Sequence, residues 1–184
     1  MIKLTDEERA LIRDGKEYLK RNDIKKFYQN LNNQVGRWCS ANCAGHITQF
    51  LMENGINVFD YLDTIPQNMF YGSEIESVVI PEGITRIQAN AFTDCVNLKN
   101  VDLGNTVRSI DKGAFAGCKS IKQLFLPDSV TVLGPAIFDD CDPNLVIVAN
   151  KRTGANRLKC KQNEIPWYKE HLFLRNDDTE EETE

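Results

Sequence analysis

The sequence predicts an α/β protein, a short solenoid of about three to four coils of 23 residues, closed by a helical cap at each end. Three observations carry this expectation. Apolar residues recur in register every 23 positions between residues 75 and 141. The chain before residue 64 follows the 3.6-residue periodicity of helices, and a further short helical stretch, Thr153 to Gln162, follows the last recurrence.

The helical front comes first. Thr5, with Glu8 three residues on, forms a capping box, and Leu4, Leu11, Ile12 and Leu19 continue it as an amphipathic helix to about Arg21. Asp23 opens a second helix with Ile24, Phe27, Tyr28, Leu31 and Val35 on one face. A third is expected from Ala44 to Asn54, stopping at Gly55, and a short fourth from Val58 to Asp63, before Pro66. Together they would cover the open edge of the first coil and hide strand groups that otherwise invite aggregation.

The repeat follows. Ile75, Leu98 and Ile121 fall in register, as do Val78, Val101 and Leu124, and Ile80, Leu103 and Leu126. Ile84, Val107 and Val130 come next, then Ile87, Ile110 and Leu133, then Phe92, Phe115 and Phe138, and last Cys95, Cys118 and Cys141. Seven such columns in three copies do not arise by chance. Ile65 and Phe70 look like an incomplete earlier copy displaced by one residue. Each copy opens with the spacing of a short strand whose alternate residues point inward, ended by Pro81, Gly104 or Pro127. The column of Ile87, Ile110 and Leu133 starts a segment returning along the opposite side. No single coil can bury its own apolar face, so the columns become ladders shared by stacked coils.

The pattern Ile-x-x-Val-x-Ile-Pro-x-x-Ile-x-x-Ile-x-x-x-Ala-Phe-x-x-Cys, from Ile75 to Cys95, resembles the BspA-like (Treponema-type) leucine-rich repeat. It recurs from Leu98 to Cys118 and, with less fidelity, from Ile121 to Cys141, where Ile137 replaces alanine and one residue is inserted near Pro143. Asn144 to Val148, Thr153-Gly154-Ala155 and Ile165-Pro166-Trp167 resemble the strand, short helix and Ile-Pro-aromatic closure that end such arrays. The resemblance implies a leucine-rich-repeat solenoid. It gives a domain plan of a helical front over 1–64, repeats over 65–149, a closing cap over 150–174 and a solvated acidic tail over 175–184.

Composition bounds the function. A net charge of −5 disfavours a general phosphate-backbone binder, although Lys151, Arg152, Arg157, Lys159 and Lys161 form a local basic segment. No run approaches 18 apolar residues, and Met1 to Glu8 turns acidic at once without an apolar leader core, so a cytoplasmic protein without a membrane span is expected. Six cysteines without a leader read as reduced thiols.

Candidate chemistry is sparse. Cys39-x-x-x-Cys43-x-x-His46 is the one cluster with metal-ligand character, but it lacks the second close pair that zinc sites usually supply, and packed thiols at a loop-to-helix junction account for it. The Cys95, Cys118 and Cys141 column has a complete explanation as core. The chain has two histidines, no Gly-x-Ser-x-Gly, no His-Glu-x-x-His and no phosphate loop, so no catalytic residue, cofactor, metal or small-molecule substrate is assigned. What remains is surface. If Val78, Val101 and Leu124 point inward, Ser77, Val79, Asn100, Asp102, Gln123 and Phe125 form an exposed stripe, continued by Val146 or Val148. Phe125 is its candidate hot spot for a protein partner. Arg86, Arg108, Lys112, Lys119 and Lys122 are expected on the opposite edge.

The expected function is therefore a non-enzymatic protein-interaction module of open oligomeric state. Short BspA-like proteins with a helical front resemble reading frames of phages and mobile elements, which implies a binder or inhibitor of a host protein, a defence system among the candidate targets. A structural or adhesive part of a virion or cell surface is the alternative.

Overall fold

The computed structural model describes residues 43–53, 55, 57–150 and 172–175, with single helical positions at Ala10, Arg13 and Lys26. The first two expected helices otherwise lie outside these residues, as do the Thr153–Gln162 helix and the acidic tail.

Helix α1 spans Cys43–Glu53, one residue earlier at each end than the periodicity suggested. It stops where Gly55 takes φ +78°, a conformation that costs glycine little, and Gly55 N–H bonds back to Met52 O at 3.0 Å. Ile47 and Leu51, four residues apart, are fully buried. Thr48, buried beside them, donates through Oγ1 to Met69 O at 2.7 Å and so satisfies a carbonyl of the first coil. The approach is close: a β-carbon on Gly45 would stand 2.2 Å from Tyr71 O. The expected fourth helix is a single 3-10 turn, Val58–Tyr61, capped by the Asn57 side chain. It ends early because Leu62 is already extended, leading the chain into the first strand.

Four coils follow. Strands β1 (Thr64–Ile65), β3 (Arg86–Ile87), β5 (Ser109–Ile110) and β7 (Val132–Leu133) form one parallel sheet in that order. On the other side β2 (Ser77–Val79) pairs with β4 (Asn100–Asp102). There too β6 (Gln123–Leu126) pairs with β8 (Val146–Asn150), and β8 with β9 (Leu172–Arg175), all parallel. Ile65 lies opposite Ile87, Ile87 opposite Ile110 and Ile110 opposite Leu133, so the incomplete early copy is a genuine coil one residue shorter than the rest. Strand β9 was not anticipated. It adds a rung beyond β8, and Arg175, assigned by sequence to the tail, is its last residue.

The expected columns are the core. Phe70, Phe92 and Phe115 are fully buried and Phe138 nearly so. Their rings stack nearly parallel, with centroids 4.8, 5.1 and 6.0 Å apart in sequence order, and Phe59 of the 3-10 turn closes the near end at 5.9 Å. The thiols run beside them. Cys95, Cys118 and Cys141 donate through Sγ to the carbonyls of Phe70, Phe92 and Phe115, one coil back, at 3.0 to 3.1 Å. Ser73 occupies the same place in the first coil and lies 3.3 Å from the Cys95 sulfur. A small side chain able to donate is what this position requires, and cysteine meets that need inside an apolar core.

Burial raises the Cys141 thiol from the ordinary 9.0 to about 11. A proton held more tightly in the folded state stabilises it below the unfolded pKa, and that stability is lost as pH rises through the folded value. The melting temperature is therefore expected to fall as pH is raised from about 9 to 11. Cys141→Ala should show a shallower decline by thermal melting at a series of pH values; an identical slope would remove the thiol as the cause.

The return segment explains the rest of the repeat. The return segment of each coil enters the left-handed backbone region twice, four residues apart: Asn68 and Gly72, Asn90 and Asp94, Gly113 and Gly117, Ala136 and Asp140. Glycine, asparagine and aspartate tolerate this conformation, whereas alanine carries a β-carbon clash. Ala136, at φ +56°, is the ill-suited member. Ala136→Gly is expected to stabilise the protein by about 1 kcal/mol, read as a raised urea midpoint.

Candidate functional site

Alternation along the short strands decides what faces out. Val78 and Leu124 are buried and Val101 half-buried, while all six stripe residues, Ser77, Val79, Asn100, Asp102, Gln123 and Phe125, are exposed. Val79 keeps 65% and Phe125 55% of its surface, high values for large apolar side chains. The parallel register sets them in rows, with Ser77 beside Asn100 and Val79 beside Asp102. The six line one open groove of about 640 Å³, floored in part by Val78 and Val101.

The continuation of the stripe divides. Val146, opposite Gln123, is exposed and extends it. Val148, opposite Phe125, is only 6% exposed. It lies on the outer side of the sheet by alternation and is flanked by β6 and β9, so the rung that the sequence did not reveal removes it from the stripe.

The basic residues also divide, which corrects the expected single edge. Arg86 is on β3, on the other sheet, where its guanidinium pairs with Asp111 at 2.8 Å. Arg108 and Lys112 flank β5 and are exposed there. Lys119 and Lys122 instead line the groove, together with Lys99. The signal was available: Lys99 and Lys122 sit 23 residues apart, each one residue before a stripe strand, in the column that Glu76 begins. A strand's entry position lies at the end of the sheet, so this column forms a lip along one side of the groove.

The lip has a defined charge pattern. Lys99 Nζ pairs with Glu76 Oε2 at 2.8 Å, and Lys122 pairs with Asp142. The lysines hold both carboxyl groups below their ordinary range, by hydrogen bonding first. Among the described residues Lys119 has no ion-pair partner. At the far end of β4, Asp102 is occupied in accepting the Gly104 N–H at 2.9 Å. The groove thus joins exposed apolar surface to an incompletely neutralised cationic rim.

Of the Cys39, Cys43 and His46 cluster, Cys39 lies outside the described residues, Cys43 opens α1 and His46 is half-buried on it. Among the described residues no group of three histidine, cysteine or acidic side chains is placed to hold a metal ion, and no helix is long and apolar enough to cross a membrane.

Residues 63–151 match the family model described as the BspA type leucine-rich repeat region (6 copies). Among solved structures, the chain is similar to a leucine-rich repeat protein from Bacteroides ovatus, at 22% identity and TM-score 0.41, over 48% of this chain and 25% of that one. It is similar to the Treponema pallidum leucine-rich repeat protein at the same identity and score, over 48% of this chain and 46% of that one. A leucine-rich cell surface protein from Faecalibacterium prausnitzii shares 21% identity at TM-score 0.39, over 52% of this chain and 28% of that one. The chain therefore spans less than half the length of each of these proteins. No curated protein matches it. With its 23-residue period, paired parallel sheets and phenylalanine ladder, the segment from 63 to 151 belongs to the BspA-type leucine-rich repeats.

Proposed function

We propose that this protein is a non-enzymatic interaction module that binds a protein partner through the groove over β2, β4 and β6. The observation that carries this is the pairing of a rigid, fully stacked interior with a face that leaves Val79 and Phe125 in solvent. Burying side chains of that size against a partner is a common source of binding energy, and a monomer gains nothing by exposing them. BspA-type repeats suggest a protein-interaction or surface module in general. Strands about 4.8 Å apart make the face roughly 10–15 Å across, the scale of an extended peptide or one helix of a partner.

The finer reading follows the resemblance to short phage and mobile-element proteins: a cytoplasmic binder or inhibitor of a host protein. The free thiols of Cys95 and Cys118, buried, and of Cys141, half-buried, suit a reducing compartment.

Parallel affinity capture from bacterial lysate with wild-type and Phe125→Ala baits tests the proposal. A stoichiometric protein retained by the wild type and lost by the variant supports it. Equal retention on both baits would remove the groove as the binding site.

A further inference from the structure

The groove's cationic lip has a complement in the same chain. Residues 177–184, Asp-Asp-Thr-Glu-Glu-Glu-Thr-Glu, carry six carboxylates and no large apolar side chain. We propose that this acidic C-terminal segment docks on the lip formed by Lys99, Lys119 and Lys122 and competes there with the protein partner. The competition rests on the binding face assigned above; the docking rests on charge and reach.

Reach comes first. Strand β9 ends at Arg175, and β8 alone separates β9 from β6. The lip lysines precede their strands and the tail departs from the strands' far end. The path is therefore about 10 Å across the sheet to Lys122 and about 15 Å to Lys99, one strand further, and roughly 13–17 Å along it. Residues 176–184 can extend to about 30 Å, which covers the diagonal with slack.

Charge comes second. Lys99 and Lys122 each hold one carboxylate, and Lys119 has no ion-pair partner among the described residues, so the lip retains positive charge facing the groove. Exposed ion pairs are individually weak and screened by salt. A short covalent link, however, presents the carboxylates at an effective concentration on the order of millimolar, so a contact too weak to form between separate molecules becomes populated within one. The tail cannot fill the apolar half of the groove, so Val79 and Phe125 stay open to a partner. A partner that brings its own acidic group for Lys119 displaces the tail, and one that does not is disfavoured.

The test is residue-resolved lysine acetylation, read by peptide mass spectrometry, on the full chain and on a chain ending at Asn176. At about 0.02 M salt, Lys119 is expected to react roughly twofold to threefold more slowly in the full chain, and the difference should vanish at about 0.5 M. Lys112, on the other sheet, should react alike in both. A full chain carrying Glu180→Gln, Glu181→Gln and Glu182→Gln should behave like the shortened one. Equal Lys119 rates at low salt, or protection of Lys151, Lys159 and Lys161 instead, would overturn the docking. The two proposals fail separately. Unprotected lysines with partner capture still sensitive to Phe125→Ala would remove only the tail. Protected lysines with capture insensitive to Phe125→Ala would remove the competition and the partner face together.

Discussion

Replacing Phe115 by alanine is expected to destabilise the protein by about 3–5 kcal/mol, whereas Phe138→Ala should cost distinctly less. Phe115 is fully buried and stacks on both sides, against Phe92 at 5.1 Å and Phe138 at 6.0 Å. Its removal forfeits apolar burial, opens a cavity between two coils and loses two ring contacts of about 0.5–1.5 kcal/mol each. Phe138 retains 7% exposure and stacks at the longest spacing of the ladder, 6.0 Å, so it is less tightly packed than Phe115. The consequence is larger than one side chain, because each coil is held mainly by its neighbours and a defect in the middle uncouples the two halves. Urea denaturation followed by circular dichroism should show a lowered midpoint for both variants and a broadened transition for Phe115→Ala. A Phe138→Ala loss as large as that of Phe115→Ala would contradict a ladder stabilised from its centre.

Phe125→Ala should do the reverse, leaving the fold alone and damaging recognition. The ring is 55% exposed and outside the buried core, so its truncation should shift the melting temperature little. If it anchors a partner, affinity should fall by about 2 kcal/mol or more, close to thirtyfold in the dissociation constant. Thermal melting checks the first half of the expectation, and titration calorimetry with the captured partner the second. Gln123→Ala, at the adjacent outward position, should cost less, because hot-spot energy concentrates in large buried-on-binding rings. A melting temperature lowered as much as that of a core variant would show that Phe125 is structural.

The repeat was legible because its cause is periodic. Stacking demands that Ile87, Ile110 and Leu133 fill equivalent space, and that demand is written at fixed spacing. Alternation then placed the outward stripe, with all six residues exposed as expected. What was not legible depends on pairing between segments remote in sequence. Strand β9 carries the Leu-Phe-Leu of β6 again, but its Leu172 stands 25 residues after its partner Ile147 rather than 23, so it falls off the register that reveals the other coils. For the same reason the sequence left Val146 and Val148 as alternatives for the end of the stripe, and only Val146 continues it. The lip was partly legible: Glu76, Lys99 and Lys122 share one 23-residue column, but Lys119 lies in the turn between Cys118 and Gln123, whose direction no strand period sets. The left-handed pairs were half visible. Asparagine, glycine and aspartate mark most of them, but Ala136 carries no such mark and its conformation is imposed by the coils before it.

The parallel register has a bearing on inheritance. Ile87 meets Ile110, and Ile110 meets Leu133, each by the same 23-residue step, so the surface a coil offers to the next is nearly the surface it receives from the last. Duplicating or excising one such unit in the gene would therefore leave both joints matched, and the molecule would grow or shrink by a single layer of about 4.8 Å. An architecture of this kind lets the length of a recognition surface be adjusted in whole increments, without redesigning either end.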